Sequence, residues 1–340
     1  IAFGRFAGIV GCYNGLLGYG VKSNKYSLKR AHLCEDRQEM EEELEKLNLP
    51  KDFKLVITGG GRVGKGALEV IAKTNIQKVS PEDFLVKEFN FPVYTQLDVE
   101  DYVSIEGNKS FDKSAFFKDP TGHSSTFMKY AKVADLYVAC HYWDNRSPFI
   151  FTRKDMQHPN WNISVVADVS CDIDGPVACT LRPSTISNPF YGYDPKSQKE
   201  VDFLSENTVG VMAVDNLPCE LPKDASFEFG KMFIEHVLEP LTGNDPEDII
   251  YRASETINGK LTPHFDYLSD YLEGKDQIFF SSAMVLVGSS DLNTKLPATK
   301  TSAPQSISFL ALAEVTPPSI SILVSSPALT IIDFSFSTLR

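Results

Sequence analysis

The stretch KLVITGGGRVGKGALEV, residues 54–70, constrains the fold more than any other part of this 340-residue sequence. Residues 53–58 form an apolar run typical of a buried strand, and residues 64–74 are predicted to form a helix. Between them, Gly59, Gly61 and Gly64 have the spacing G-x-G-x-x-G, which lets the backbone approach a dinucleotide diphosphate at the helix N-terminus. The stretch therefore predicts a dinucleotide-binding turn.

A second motif overlaps the same residues. Gly59 to Lys65 also fits the first seven positions of G-x-x-x-x-G-K-[ST], the phosphate-binding loop of NTPases. That loop needs a Ser or Thr hydroxyl at the eighth position to bind Mg²⁺, and this sequence has Gly66 there. The dinucleotide interpretation is therefore preferred, and the alternative is a glycine-rich turn that has a structural role and binds no ligand.

Further apolar runs and helical segments alternate along the chain. The runs are predicted to be strands, and they lie at residues 84–86, 135–140, 163–169 and 209–214, with helical segments at 125–132 and 225–241. Such alternation is typical of an α/β fold with a doubly wound, Rossmann-like parallel sheet. Ligands of these sheets bind at the carboxyl ends of the strands. We therefore expect one crevice to be lined by the segments 58–64, 141–146, 168–174 and 215–220, together with Glu88.

The two ends of the chain differ in character from its middle. Glycines at 4, 8, 11 and 15 share one face of a predicted N-terminal helix, and residues 35–48 form a charged helix whose Met40, Leu44 and Leu47 face a core. We expect residues 1–50 to be helices remaining from a second, truncated domain. Residues 51–220 are predicted to form the dinucleotide-binding domain, and 221–275 to be C-terminal helices.

Residues 276–340 lose both amphipathic periodicity and charge. Between residues 301 and 340 the charged side chains are only Glu314, Asp333 and Arg340. This composition predicts an atypical tail that is not part of the fold.

Charge and cysteine usage exclude several classes of protein. The net charge of −12 argues against nucleic acid as a partner. Six scattered cysteines are typical of reduced thiols in a cytoplasmic protein, and the six histidines have no metal-ligand spacing, so no metal is predicted. We expect neither a signal peptide nor a membrane span.

Four stretches beyond the glycine turn carry candidate site residues: FGRFAGIVG with Arg5, HYWDNRSPFIFT with His141 and Arg146, ADVSCDIDGP with Asp168, Ser170 and Asp172, and AVDNLPCELPKDAS with Asp215. Each has a structural alternative. Aspartates at strand ends cap helices and close turns as often as they bind ligands, and His141 is as readily a structural histidine as an acid or base.

Taken together and in this order, these stretches and TGGGRVGKGA resemble lysine-forming saccharopine dehydrogenase and the related lysine–ketoglutarate reductases of the alanine dehydrogenase-like superfamily. The resemblance covers about residues 1–275. It implies two Rossmann-like domains with the active site between them, and reversible hydride transfer between a nicotinamide cofactor and the C–N bond of saccharopine. The substrates it implies are lysine, 2-oxoglutarate and saccharopine.

The resemblance also implies roles for individual residues. Gly59, Gly61 and Gly64 would hold the diphosphate with Arg62 and Val63 beside it, and Ser170 and Asp172 would line the nicotinamide side. Asp215 would face the amino-acid substrate, and Arg5 would lie near the cleft, where its charge type makes it a partner for a substrate carboxylate. Arg146 is a further carboxylate partner by charge type. The catalytic lysine and histidine of the family would lie upstream of Ile1, so no catalytic residue is assigned.

Cofactor choice depends on an acid that binds the ribose 2′-hydroxyl. Glu88, at the end of FLVKE and 24 residues after Gly64, is the candidate and favours NAD. Arg62 or Lys65 near a 2′-phosphate would favour NADP instead.

Two other functions stay open. The chain could serve another amino-acid dehydrogenase, such as alanine dehydrogenase, or be a truncated dinucleotide-binding module without catalysis. Loss of a partner domain would expose Ile1, Phe3, Ile9 and Val10, which predicts poor solubility or a homodimer through that face. We expect a cytoplasmic location, or a mitochondrial one for a longer gene product.

Overall fold

The structure is a computed structural model that describes residues 2–105 and 111–274, together with the backbone of two strands near the C-terminus. Residues 2–229 form one compact unit, and a second unit begins at Gly230. The segment 1–50, from residue 2 onward, lies in the same unit as the glycine-rich turn.

The first unit contains ten strands: β1 (Lys54–Thr58), β2 (Gln77–Lys78), β3 (Val93–Leu97), β4 (Val103–Ile105), β5 (His123–Ser125), β6 (Leu136–Ala139), β7 (Val165–Asp168), β8 (Phe190–Asp194), β9 (Lys199–Val201) and β10 (Val209–Met212). Its helices are α1 (Gly4–Lys22), α2 (Arg37–Glu43), α3 (Arg62–Ile71), α4 (Pro81–Val86), α5 (Val99–Tyr102), α6 (Lys113–Lys118), α7 (Met128–Ala131), α8 (Arg153–Met156) and α9 (Pro222–His236), the last of which continues past Gly230. Short 3-10 helices lie at Ala31–Leu33, Leu44–Lys46 and Leu217–Glu220.

Eight of these strands form a mixed sheet in the order β2-β3-β1-β6-β7-β10-β8-β9. The first six are parallel, whereas β8 runs antiparallel to β10 and β9 antiparallel to β8. After β1 the chain builds β2 and β3 on one side and then crosses to β6 on the other. The doubly wound parallel sheet is therefore confirmed, with its switch point between β1 and β6.

Two apolar clusters cover the two faces of the sheet, because side chains alternate along each strand. Leu55 and Ile57 of β1 lie in one cluster with residues of α1 and α3. Val56 lies in the other with Phe84 of α4 and Tyr130 of α7. Helices thus pack on both faces, and runs of apolar residues buried on both sides explain why β1, β6, β7 and β10 were predicted from the sequence.

The glycine face of α1 allows unusually close packing. A side-chain carbon at Gly8 would overlap the carbonyl oxygen of Val63, and one at Gly66 of α3 would overlap the carbonyl oxygen of Arg5. α1 and α3 therefore meet backbone to backbone. Ile9 and Val10 are fully buried in the resulting core, so the expectation that they form an exposed face was wrong. Ile1 lies outside the described residues.

Several expected elements differ. Residues 84–86 are not a strand but the end of α4, because Ser80 caps that helix by accepting from the Asp83 N–H at 3.1 Å, and Pro81 occupies its first turn. The alternating run of β3 was missed, and so were β8 and β9. The helix predicted at 125–132 is shortened to α7, since His123–Ser125 form β5.

The second unit, described by itself, contains short elements. They are α10 (Leu238–Thr242), α11 (Ile249–Ala253), β11 (Thr256–Ile257), β12 (Lys260–Leu261), a 3-10 helix (Pro263–Leu268), α12 (Ser269–Leu272), β13 (Ile320–Val324) and β14 (Thr330–Phe334). β11 pairs with β12 and β13 with β14, both antiparallel. Apart from those last two strands, the tail predicted at 276–340 lies outside the described residues.

Candidate functional site

The glycine-rich turn is fixed at the carboxyl end of β1 by its two neighbouring strands. Gly59 has a φ of +95°, and a side-chain carbon there would overlap the carbonyl oxygen of Cys140, just beyond β6. Its N–H donates to the carbonyl oxygen of Leu97 in β3 at 3.0 Å, and Gln96 Nε2 donates to its carbonyl oxygen at 2.9 Å. Gly64 packs so closely on Gly59 that a side chain would not fit.

Gly60 and Gly61 have a different environment. Among the described residues, a side-chain carbon at either position would meet nothing within 4 Å, and Gly61 has a φ of −76°, which any residue adopts. Neither packing nor backbone geometry therefore requires glycine there. Because α3 begins at Arg62 without a side-chain cap, the bare turn and the first N–H groups of α3 can accept an anion from the open side. Arg62 is exposed and Val63 half-buried beside this space.

Glu88 is not near this turn. It lies in an exposed loop after α4 and before β3 begins. Lys54, the first residue of β1, donates through Nζ to the carbonyl oxygen of the adjacent Lys87 at 3.0 Å. Since the glycine turn follows the other end of β1, Glu88 lies at the opposite edge of the sheet, and its expected place at a strand end is wrong.

Asp98 takes the position expected of a ribose-binding acid. It follows β3, the strand beside β1, and comes directly after Leu97, which is bonded to the glycine turn. Its Oδ1 accepts from the Val99 N–H at 2.7 Å, it pairs with Lys113, and its side chain is 47% exposed. The alternating run of residues 93–97 was the signal that could have revealed this aspartate.

Asp168 organises the turn after β7. Its carboxylate is fully buried and accepts from the Ser170 hydroxyl at 2.5 Å, the Thr180 hydroxyl at 2.6 Å and the N–H groups of Ser170 and Cys171. The Ser170 hydroxyl is thus committed to this turn. Burial raises the pKa of Asp168, while these donors lower it.

Asp172 lies in the same turn and is half-buried. Burial, followed by the charge of Asp168, raises the pKa of Asp172 to about 7. A carboxyl with such a pKa can take up or release a proton near neutral pH.

His141 and Arg146 follow β6 but face different surroundings. His141 is buried, and its Nδ1 lies 2.9 Å from Thr58 Oγ1, while no described residue bonds to its Nε2. Burial lowers the pKa of His141 to about 4, so the ring is neutral at physiological pH. Arg146 is exposed and makes two bonds to Asp144, at 2.9 and 2.8 Å.

Arg5 is engaged in an ion-pair network. It makes a bidentate pair with Glu69 of α3 at 2.6 and 2.7 Å, and it also pairs with Glu228. Glu69 binds Arg37 at 2.9 Å as well. A substrate carboxylate would have to compete with these partners for the Arg5 guanidinium.

Asp215 follows β10 and lines a cleft of ≈ 390 Å³. The cleft is bounded by His32, Thr185, Ile186, Ser187, Asp215 and Asn216. Burial raises the pKa of Asp215. β6, β7 and β10 are adjacent, with about 4.8 Å between neighbouring strands, so the turns carrying His141, Asp172 and Asp215 leave the same edge of the sheet.

Sequence reasoning missed a buried polar cluster next to this cleft. Asn14 of α1 donates through Nδ2 to Glu220 Oε1 at 2.8 Å, and both side chains are fully buried. His32 Nδ1 lies 3.7 Å from Glu220 Oε2. Four buried atoms of the cluster have no hydrogen-bond partner within residues 2–105 and 111–274: Asn14 Oδ1, Arg30 Nε, His32 Nδ1 and Glu220 Oε2. No local motif announces these residues, since they come from three distant segments.

Among residues 2–105 and 111–274, no three His, Cys, Asp or Glu side chains come together as a metal ion would require. In those ranges no helix is long and apolar enough to cross a bilayer. All six cysteines are free, as expected from their spacing.

Comparison with known proteins supports the resemblance that the motifs indicated. No family model matches the chain. The mitochondrial alpha-aminoadipic semialdehyde synthase of Mus musculus is 26% identical over 331 residues, covering 83% of this chain and 36% of that protein. Saccharopine dehydrogenase [NAD(+), L-lysine-forming] of Emericella nidulans is 24% identical over 216 residues, covering 62% and 47%. The predicted likeness to saccharopine dehydrogenases is thereby confirmed.

The chain spans less than half the length of these two relatives. Among solved structures, an L-alanine dehydrogenase aligns with 15% identity and a TM-score of 0.42, covering 79% of this chain and 64% of that one. The fold assignment rests on the strand order of the sheet itself.

Proposed function

We propose that this chain is the dinucleotide-binding part of an amino-acid dehydrogenase. The reaction it serves is hydride transfer between NAD and the C–N bond of saccharopine, the amine that joins lysine to 2-oxoglutarate. The observation that carries this proposal is the open space above Gly60 and Gly61 at the switch point of the sheet. Glycine is needed there neither for packing nor for backbone geometry, which leaves close approach of a ligand as its use.

The residues present fit a nicotinamide dinucleotide. The bare turn and the N-terminus of α3 would bind the diphosphate through backbone N–H groups. Asp98 would accept hydrogen bonds from the adenosine ribose, and its charge would disfavour the 2′-phosphate of NADP. NAD is therefore the proposed cofactor. When bound, its nicotinamide supplies the carbon that accepts or donates hydride.

The remaining residues would prepare the substrate. Asp168 holds the turn after β7 rigid, so that Asp172 is presented near the strand ends, where it can hold or release a proton at neutral pH. Asp215 would face the substrate ammonium group with its carboxylate. Arg5 and Arg146 stay proposed partners of the substrate carboxylates, each through exchange of its present acidic partner.

Reduced-nicotinamide absorbance tests the reaction. Saccharopine with NAD⁺, and lysine with 2-oxoglutarate and NADH, should each change the absorbance, and alanine with NAD⁺ should not. A response to alanine alone would favour the alternative, another amino-acid dehydrogenase. Failure to bind either reduced cofactor would overturn the proposal. The assay is made on this chain.

A dinucleotide-binding module without catalysis is the second candidate. It is favoured by the ion pairs of Arg5 and Arg146, because both arginines proposed to bind substrate carboxylates are already engaged by acids. NADH binding without turnover would support it.

Partners and compartment are proposals too. We expect small molecules as partners rather than nucleic acid or membrane. The homodimer stays a prediction, and the molar mass of the protein in solution, measured by light scattering, tests it. The expected compartment is the cytoplasm, with the mitochondrion as the alternative because the name of the mouse relative includes it.

A further inference from the structure

The buried cluster beside the Asp215 cleft contains a carboxyl group that is fully buried and only partly hydrogen-bonded by the described residues. Glu220 is fully buried, and its Oε1 accepts from the Asn14 amide, whereas its Oε2 has no hydrogen-bond partner among the described residues. Burial raises the pKa of this carboxyl more than Asn14, Arg30 and the backbone of His32 lower it. A buried ionised carboxylate with a free oxygen is costly, whereas a protonated one is not. The position therefore suits a carboxyl that gains and loses a proton.

His32 connects this carboxyl to the cleft. Its Nδ1 is buried, unpartnered and 3.7 Å from Glu220 Oε2, an oxygen that is equally unpartnered. Yet 28% of the His32 side chain is exposed, and it lines the cleft with Asp215. The ring therefore has one edge toward the buried acid and the rest toward solvent. A small rotation would close the 3.7 Å gap to a hydrogen bond.

Resting on the proposed function, we infer that His32 and Glu220 form a proton relay for an amine bound in the Asp215 cleft. The ammonium group of the substrate gives its proton to His32 Nε2. The proton on His32 Nδ1 passes to Glu220 Oε2, which leaves a neutral amine, a neutral imidazole and a neutral carboxylic acid. The freed lone pair on nitrogen is what the neighbouring carbon needs to release hydride. His32 touches the substrate, and Glu220 is a positioning residue.

The electrostatics of the pair agree with this direction. Burial raises the pKa of Glu220 to about 7, and burial together with Arg30 lowers the pKa of His32, so the imidazole is neutral and the carboxyl titrates near neutrality. The groups that face the pair from the surrounding elements are Tyr13 and Asn14 of α1, Arg30 before the first 3-10 helix, and Asp215 and Cys219 after β10.

The pair itself is tested without substrate. Side-chain ¹⁵N spectra of the full chain, with His32 assigned through His32→Asn, follow the imidazole from pH 5 to 9 in wild type and in Glu220→Gln. We expect Glu220→Gln to shift the His32 titration by about one pH unit or more, because coupled groups titrate together. Identical His32 titrations would overturn the pair. Glu206→Gln, at an exposed glutamate, is the matched control.

The relay is tested by pH profiles with saccharopine and NAD⁺. Glu220→Gln and His32→Asn should each lower kcat about 10- to 100-fold with little change in KM, and the double variant should lose no more than the worse single one. An active chain whose profile is unchanged by Glu220→Gln would overturn the relay. An inactive wild-type chain would contradict the proposed function instead, and the spectra alone then decide the pair.

Discussion

The glycine turn and the Glu220 cluster lie along the same edge of one sheet, yet they are built in opposite ways. The turn uses consecutive residues, the groups proposed to bind the diphosphate are its backbone N–H groups, and no described residue fills the space above Gly60 and Gly61. The cluster draws side chains from three segments, and four of its buried atoms have no hydrogen-bond partner in the part of the chain that the structure describes. A site made of local backbone can be read from a sequence, whereas a site made of distant side chains requires the fold.

The two regions also hold titratable groups that respond to pH in opposite directions. Burial raises the pKa of Glu220, near the β10 end, and lowers the pKa of His141, beside the glycine turn. Lowering the pH should therefore stabilise the folded chain through Glu220 and destabilise it through His141. Single substitutions of Glu220 and His141 should each remove one of these two contributions to the pH dependence of the unfolding free energy.

The largest expected effect is that of Glu220→Gln. The ordinary pKa of the Glu220 carboxyl is 4.5 and the folded value is about 7, so the folded chain holds a proton that the unfolded chain releases. Wild-type stability should fall as pH rises from 4.5 to 7 for this group. Glutamine removes that loss, so the variant should gain about 3 kcal/mol in unfolding free energy relative to wild type between pH 4.5 and pH 8. Urea unfolding at both pH values measures it.

Glu206→Gln is the control for that experiment and should show no such pH-dependent gain. A Glu220→Gln variant that is destabilised equally at both pH values would show that the carboxyl is ionised and satisfied in the folded chain.

His141→Gln should act with the opposite sign. The folded pKa of His141 is about 4 against an ordinary 6.5, so the unfolded chain binds a proton that the folded one refuses. Wild-type stability should fall as pH drops from 6.5 to 4, by up to about 3 kcal/mol from this group. The variant should flatten that slope, measured by urea unfolding across this range. An unchanged slope, as expected for the exposed control His158→Gln, would contradict the buried neutral imidazole.

Asp98→Asn tests whether Asp98 sets the preference for NADH over NADPH. Asparagine keeps the helix cap that the Asp98 carboxylate makes with Val99 but removes the charge. The preference for NADH over NADPH should fall about tenfold, or about 1.4 kcal/mol, in a fluorescence titration. Glu88→Gln, at the opposite edge of the sheet, should leave the preference unchanged. The reverse pattern would restore Glu88 as the ribose-binding acid.

Features encoded by adjacent residues were predicted from the sequence, whereas features formed by residues far apart in the chain were not. The glycine turn, α1 with its glycine face, and the doubly buried strands β6, β7 and β10 were predicted, because each is encoded by adjacent residues. β3 was missed because its alternation is short and follows a proline, and the apolar residues 84–86 were misread because Ser80 and Pro81 start a helix there. The error at β3 caused the error at Glu88.

Side-chain partnerships were largely beyond prediction. Arg5 and Arg146 were chosen by charge alone, and only the fold shows that Glu69, Glu228 and Asp144 engage them. No sequence motif indicated the Glu220 cluster, because His32 and Asn14 are far from Glu220 in the chain.

The smallest expected effect is that of Arg146→Ala. The Arg146–Asp144 pair is exposed, so its loss should change the unfolding free energy by less than about 0.5 kcal/mol and leave NADH binding intact. A rise in the KM for saccharopine alone would support its proposed carboxylate contact. Loss of NADH binding would instead mean that this loop belongs to the dinucleotide site.

The central claim is that the open backbone turn binds the diphosphate of NAD. NADH titration followed by fluorescence tests it most directly, with wild type, Gly61→Glu, and Asn90→Glu as a control that adds the same charge at the opposite edge of the sheet. The fold tolerates a side chain at Gly61, so the variant should keep its unfolding temperature and lose at least about 100-fold in NADH affinity, while the control binds like wild type. Equal NADH affinity in Gly61→Glu and wild type would contradict binding of the diphosphate at this turn.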